Sequence, residues 1–490
     1  MREVRMKAGW RRRRTLAPGL SALVLAGPAL LLHAAGTAAL QPVTSEAATS
    51  EAAAAHEGFG WAWRHKKEKK EAPAKPQEWM QPSEPAAMSI AVEKLGFAAP
   101  SDFYQGMRAR MVSLDFLDEN RLLFSFRAPG LIHRPAGAAP AGGDQTGGEG
   151  EEREIRALVL TLPAGGVEAQ AVWTLHDEDP YLWMLKDGHF LLRDRNNLAV
   201  GDAALELKPY LTFPGPLELV ELDPEDQYLV TDSREPQGGA AKPGEVGSPA
   251  TAETRVTTDD AGNAGGGTGG PEIVLRIVRR ATGKVMLVSR VRVKVHLPIN
   301  ADGYVEVLQG TRWEWMLNLD LFSGGSRILG SVTSHCRPTI QFVAQGEALA
   351  TTCDQDGALR LLALGTSGKE MWEAATPATE VWPIVVAGAS GTRIARETLA
   401  VTHPVGPYSP LSFDDVMGQV VRVYDAGSGK VLLKAPASPV LDGGGNVAIS
   451  PSGRRVAVLD GSSIRVYELG GNGQDGNGLA AGSAAAVKPR

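Results

Sequence analysis

The sequence predicts an all-β fold built from repeated short antiparallel sheets. Three observations predict it. From about Ser89 onward, apolar and polar residues alternate with period two, as in Val112-Ser-Leu-Asp-Phe116 and Leu217-Glu-Leu-Val-Glu-Leu222. That is the pattern of half-buried strands. Turn-forming clusters such as Lys186-Asp-Gly188 and Pro451-Ser-Gly453 separate the runs. Gly (57) and Pro (32) make about 18% of the 490 residues, against an average of ~12%, which favours turns over helices.

The repeat is clearest between Gly445 and Leu469. Val447-Ala-Ile449, Val456-Ala-Val-Leu459 and Ile464-Arg-Val-Tyr467 read as three strands, joined at Pro451-Ser-Gly453 and Asp460-Gly461. This stretch resembles a blade of a WD40-type or YVTN-type β-propeller. The WD40 Gly-His and Trp-Asp signatures are missing, so the resemblance implies architecture and names no ligand. One propeller ring can take a whole chain of this length. Seven first strands are expected: Val112–Phe116, Tyr181–Leu185, Leu217–Leu222, Tyr304–Leu308, Thr339–Val343, Ile384–Val386 and Val447–Ile449. Pro180, Pro216, Pro338, Pro383 and Pro439 lie near the starts of five of them, where a missing N–H costs no ladder bond. Outer hairpins turn at Ala281-Thr-Gly-Lys284, Thr366-Ser-Gly-Lys369 and Gly427-Ser-Gly-Lys430. Each Gly-Lys sits between strands and lacks the P-loop pattern that opens a helix. The last blade lacks a fourth strand after Leu469, and Ser89–Leu95 is placed to supply it and close the ring.

The N-terminus is of another kind. Arg11-Arg-Arg-Arg14 precedes an uncharged stretch, Thr15 to Ser45, with Leu23-Val-Leu25 and Leu30-Leu-Leu32 at its centre and small residues to Ala39. Residues 1–39 read as a secretory signal peptide, with an uncleaved signal anchor as the rival. Residues 40–88, rich in Ala, Glu, Lys and Pro, read as a disordered linker. Within it Trp61, Trp63 and Trp79 are unusual for a spacer. The propeller is expected over 89–469, interrupted by insertions at 127–153, 236–271 and 403–418, and followed by a disordered tail, 470–490. The net charge of −6 predicts no attraction to nucleic acid.

Because strands alternate in direction, the segment before each first strand and the loop between second and third strands share one face. All three insertions leave from such loops. His176, His296 and His335 precede first strands, and His133 and His403 lie in insertions; His189 falls elsewhere. His176, His296, His335 and His403 are weak metal candidates, because no HxxxH or CxxC spacing accompanies them. No Gly-x-Ser-x-Gly elbow is present. The Trp313-Glu-Trp315 pair reads as packing between blades. Cys336 and Cys353 flank a predicted hairpin at nearly opposite positions. In an exported protein they are disulfide candidates, a bond contributing about 3 kcal/mol.

The function these features imply is an exported binding module, periplasmic, secreted or at the cell surface. Its loop-decorated face takes a protein or glycan partner, with no catalysis and no cofactor. The chain is expected to act as a monomer and to meet a membrane only if the N-terminal segment stays uncleaved. The alternative is a propeller hydrolase, lyase or quinone-dependent dehydrogenase with its site at the central channel.

Overall fold

The computed structural model describes residues 80–99, 111–128, 152–176, 180–235, 272–291, 294–344, 346–406, 411–441 and 443–470. The predicted signal peptide, the linker up to residue 79, most of the first two insertions and nearly all of the tail lie outside the described residues.

The period-two runs form strands, and neighbouring runs pair antiparallel into seven separate sheets. The innermost strands of six sheets are Val112–Asp118, Leu182–Met184, Leu217–Leu222, Thr339–Ala344, Glu380–Ala387 and Val447–Ile449, as the alternation predicts. An apolar cluster fills every junction between successive sheets. Blade 7 meets blade 1 through Ala457, Leu459, Leu122 and Phe124, so the sequence of junctions closes. The fold is a seven-bladed β-propeller.

Closure uses both ends of the folded region. Met88–Ala91 pairs antiparallel with Ser463–Glu468, setting Met88 opposite Val466 and Ile90 opposite Ile464. This completes blade 7 and removes an open edge. The predicted linker ends earlier than residue 88, since Ser83 already exchanges two hydrogen bonds with Lys434 on the outer strand of blade 6.

Blade 4 corrects the sequence reading. The strand Gly303–Gln309, expected to be innermost, is the second strand. Only the following strands Glu314–Leu321 and Ser326–Thr333 share its regular sheet. The inner position is taken by residues 295–300. They touch the second strand through the Ile299–Tyr304 bridge and a bond from the Val305 N–H to the Pro298 carbonyl. Pro298 keeps this segment from forming a full ladder. The turn is held by Asn300, whose Oδ1 accepts the Asp302 and Gly303 N–H groups at 2.9 and 3.0 Å. The stronger alternation of Tyr304-Val-Glu-Val-Leu308 masked the shorter strand before it.

The first two insertions connect Arg127 to Arg153 and Glu235 to Glu272. The third spans 402–415, because the next strand begins at Val416, two residues before the predicted boundary. All three join second to third strands, so the strand ends they leave from lie on one face. Packing between blades is close enough to select glycine. Gly368, in the outer turn of blade 5, has φ +70°, and a Cβ there would lie 1.5 Å from the Leu329 carbonyl oxygen of blade 4.

Candidate functional site at blades 4 and 5

On the loop-decorated face, three segments meet. The first is the tight turn after Gln309. Here the Gly310 N–H donates to the Glu314 carbonyl at 2.9 Å and the Thr311 hydroxyl donates to the Glu314 carboxylate at 3.0 Å. This turn holds Trp313 at φ +66°, a left-handed conformation that is rare for a bulky residue. The second is the link 334–338 into blade 5. The Ser334 N–H donates to the Trp313 carbonyl and the His335 N–H donates to the Cys353 carbonyl. The third is the turn 354–358, closed by the Asp354 N–H donating to the Ala358 carbonyl and by the Asp356 carboxylate accepting the Ala358 N–H.

Together these segments border an open pocket of about 450 Å³ lined by Arg312, Trp313, His335, Cys353, Asp354, Gln355, Asp356 and Gly357. The His335 ring stacks on the Trp313 indole with centroids 4.2 Å apart. The Arg312 guanidinium lies 5.4 Å from the same ring. Asp354 pairs with Arg360 at 2.8 Å. Trp313 remains 37% exposed. The structure joins Cys336 to Cys353, with Cα atoms 5.7 Å apart, which ties the link carrying His335 to the second strand of blade 5.

Trp313 and Trp315 part company. Trp315 lies within its strand, donates its indole N–H to the Ser334 carbonyl at 2.9 Å and packs between blades 4 and 5. Trp313 precedes the strand and faces solvent. Both indoles contact the junction of blades 4 and 5, Trp315 from within its strand and Trp313 by stacking on His335 while staying partly exposed. A second indole, Trp382, is 47% exposed at φ +50°. It sits in a bulge near the start of the inner strand of blade 6, where register shifts between Val381 and Ile384. Sequence reasoning missed Trp382; its sole signal was the Pro383 that follows it.

The four histidines do not converge. His176 meets Asp194 at 3.0 Å through Nδ1. His335 stacks on Trp313. His403 lies exposed, 3.0 Å from the Thr402 hydroxyl and 3.7 Å from Asp415. His296, in the irregular inner segment of blade 4, bridges Glu221 of blade 3 and the Ile340 carbonyl of blade 5. Burial alone would depress its pKa; the hydrogen bond and charge of Glu221 outweigh that, and the net shift is upward. Among the described residues, no three His, Cys, Asp or Glu side chains gather to hold a metal.

His296 belongs instead to a set of polar ties that cross every junction. The Ser125 and Tyr181 hydroxyls meet at 2.7 Å between blades 1 and 2. Arg193 donates to the Leu217 carbonyl between blades 2 and 3. The Val295 N–H donates to Asp232 at 2.9 Å between blades 3 and 4. Gln341 donates to the Val385 carbonyl between blades 5 and 6. Gln419 exchanges two bonds with Leu441 between blades 6 and 7, and Arg455 donates to the Glu119 carbonyl between blades 7 and 1. Each satisfies a group that would be costly to bury alone. Glu397 differs from these ties. It is fully buried on the second strand of blade 6, and among the described residues neither carboxylate oxygen has a hydrogen-bond partner. Burial pushes its pKa up to about 8.

No protein-family profile matches this sequence, and no curated protein matches it. Solved structures align with this chain only at low similarity. A chain of the mitotic checkpoint complex aligns with a TM-score of 0.40 at 8% identity, over 84% of this chain and 99% of its own. Chaetomium thermophilum Sqt1, bound to the N-terminus of the ribosomal protein L10, gives 0.38 at 11% identity, over 78% and 99%. Pyrococcus horikoshii acylaminoacyl peptidase gives 0.38 at 10% identity, over 71% of this chain and 49% of its own, so this chain spans about half of that protein's length. At these scores none of them bears on the function of this chain.

Proposed function

We propose that this propeller is an exported, non-catalytic binding module that engages a protein or glycan partner through its loop-decorated face. The observation that carries the reading is the pair Trp313 and Trp382. Both indoles are exposed, both are held in left-handed backbone, and both lie on the face that bears the three insertions. Exposed indoles contribute little to the fold, and left-handed backbone at a bulky residue costs about 1–3 kcal/mol. Tryptophan and arginine dominate the energetics of recognition surfaces. Export rests on the sequence of residues 1–39 and on the Cys336–Cys353 bond, which persists in oxidising compartments.

The test is capture of partners from the envelope and medium of the source cells, using the mature chain and variants lacking 129–151, 236–271 or 403–415. A partner retained by the intact ring and lost on deletion or on W313G/W382A supports the reading. Equal capture by all variants overturns it. So does a stoichiometric metal or quinone, found by elemental analysis and absorbance, that supports turnover.

A further inference from the structure

We propose that the pocket beside Trp313 is a saccharide-binding site for an uncharged oligosaccharide. The inference rests on the binding-module reading and names the ligand class for this part of its face. Its chemistry comes from the lining. Trp313 is the one large apolar side chain. Around it stand Arg312, His335, Asp354, Gln355 and Asp356, each ending in a planar hydrogen-bonding group. The indole gives the pocket an apolar surface, and the ends of the five side chains beside it give several hydrogen-bonding groups. A sugar ring presents the two surfaces the pocket complements. Its C–H face suits the electron-rich face of an indole. Its vicinal hydroxyls suit the two-pronged ends of carboxylate, guanidinium and carboxamide groups.

Charge narrows the class further. The lining carries one cation, Arg312, and two carboxylates, Asp354 and Asp356, and Arg360, which holds Asp354 at 2.8 Å, is shared with Glu373. This net negative balance disfavours an anionic ligand. The volume of about 450 Å³ lies within the range of small-molecule sites.

The indole is prepared for this role. His335 backs it at 4.2 Å, and the Cys336–Cys353 bond holds the link that carries His335. The turn 310–313 keeps Trp313 left-handed, where glycine is the residue least strained. Tryptophan therefore stands here against a backbone cost that glycine would not carry.

The experiment titrates the purified full chain with a panel of neutral gluco-, manno-, galacto- and N-acetylglucosamine oligosaccharides. Tryptophan fluorescence and calorimetry report binding. Saturable binding of at least one sugar is expected, weakened by about tenfold or more in W313G. W313G should keep the wild type's far-UV circular dichroism and a cooperative melt above the titration temperature, so that its loss of binding is not a loss of fold. Q355A/D356A, which leaves the indole in place, should weaken the same sugar, and W382A should not. No saturable binding by any sugar overturns the proposal, as does unchanged affinity in W313G and Q355A/D356A. If sugars fail while partner capture still depends on the insertions, the saccharide proposal alone falls. If both fail, the binding-module reading falls with it.

Discussion

Glu397 offers a quantitative test of how this ring is packed. Its side chain faces the junction between blades 6 and 7, beside Gly444, where a Cβ would lie 3.4 Å from the carboxylate. Among the described residues no donor reaches either oxygen, and burial raises the pKa from an ordinary 4.5 to about 8. The sign follows from linkage. Below pH 4.5 the group is neutral in both folded and unfolded chains. Between the two values the unfolded chain releases its proton while the folded chain keeps it, so stability falls as pH rises, by about 1.4 kcal/mol per pH unit. The fold has then lost roughly 3 kcal/mol by pH 7, and the loss levels off above pH 8. Glu397→Gln removes this dependence. The buried amide brings a cost of its own, about 1–3 kcal/mol, but that cost does not vary with pH. Asp232, pushed up to about 7 by burial, titrates in both proteins and cancels from the difference. Urea unfolding of wild type and E397Q at pH 5, 6.5 and 8 should show the variant gaining on the wild type by several kcal/mol across the range. Parallel pH profiles would refute the reasoning and show that Glu397 ionises in the fold at its ordinary pH.

Three further outcomes are expected. Replacing Cys336 and Cys353 by serine should lower stability by about 3 kcal/mol, the value for closing a short loop. Differential scanning calorimetry checks it, and dithiothreitol should lower the wild type towards the variant. Deleting residues 80–91 removes the closing strand and leaves Ser463–Glu468 as an open edge. Size-exclusion chromatography should then show self-association in place of a single species. Gly368→Ala should cost more than about 1 kcal/mol in urea unfolding, because it forces a Cβ into the Leu329 carbonyl at φ +70°.

Much of the ring was legible in the sequence, for a local reason. Alternation in runs such as Leu217-Glu-Leu-Val-Glu-Leu222 and turn chemistry such as Pro451-Ser-Gly453 are properties of neighbouring residues. They located six inner strands, and the missing partner of Ser463–Glu468 was found in the segment beginning at Ser89. Blade 4 failed on the same principle. Pro298 shortened its inner strand below the length at which alternation shows, and the phase of the blade shifted by one strand.

The candidate site was less legible. The residues around the pocket come from positions 312–313, 335 and 353–357, and no spacing rule joins them. His335 and His296 look alike in sequence, each close to the start of an inner strand. In the fold one backs an exposed indole and the other bridges blades 3 and 5. Trp313 and Trp315, two residues apart, divide between solvent and core because a left-handed turn ends between them.

Periodicity and chain direction, both local, are enough to read an all-β repeat, its turns, its closing strand and the strand ends from which its insertions leave. Which side chains meet depends on how the blades pack. The packing of successive blades brings Trp313, His335 and Asp356 into one pocket and buries Glu397 with no donor among the described residues, and contacts between strands distant in sequence leave no local pattern to read.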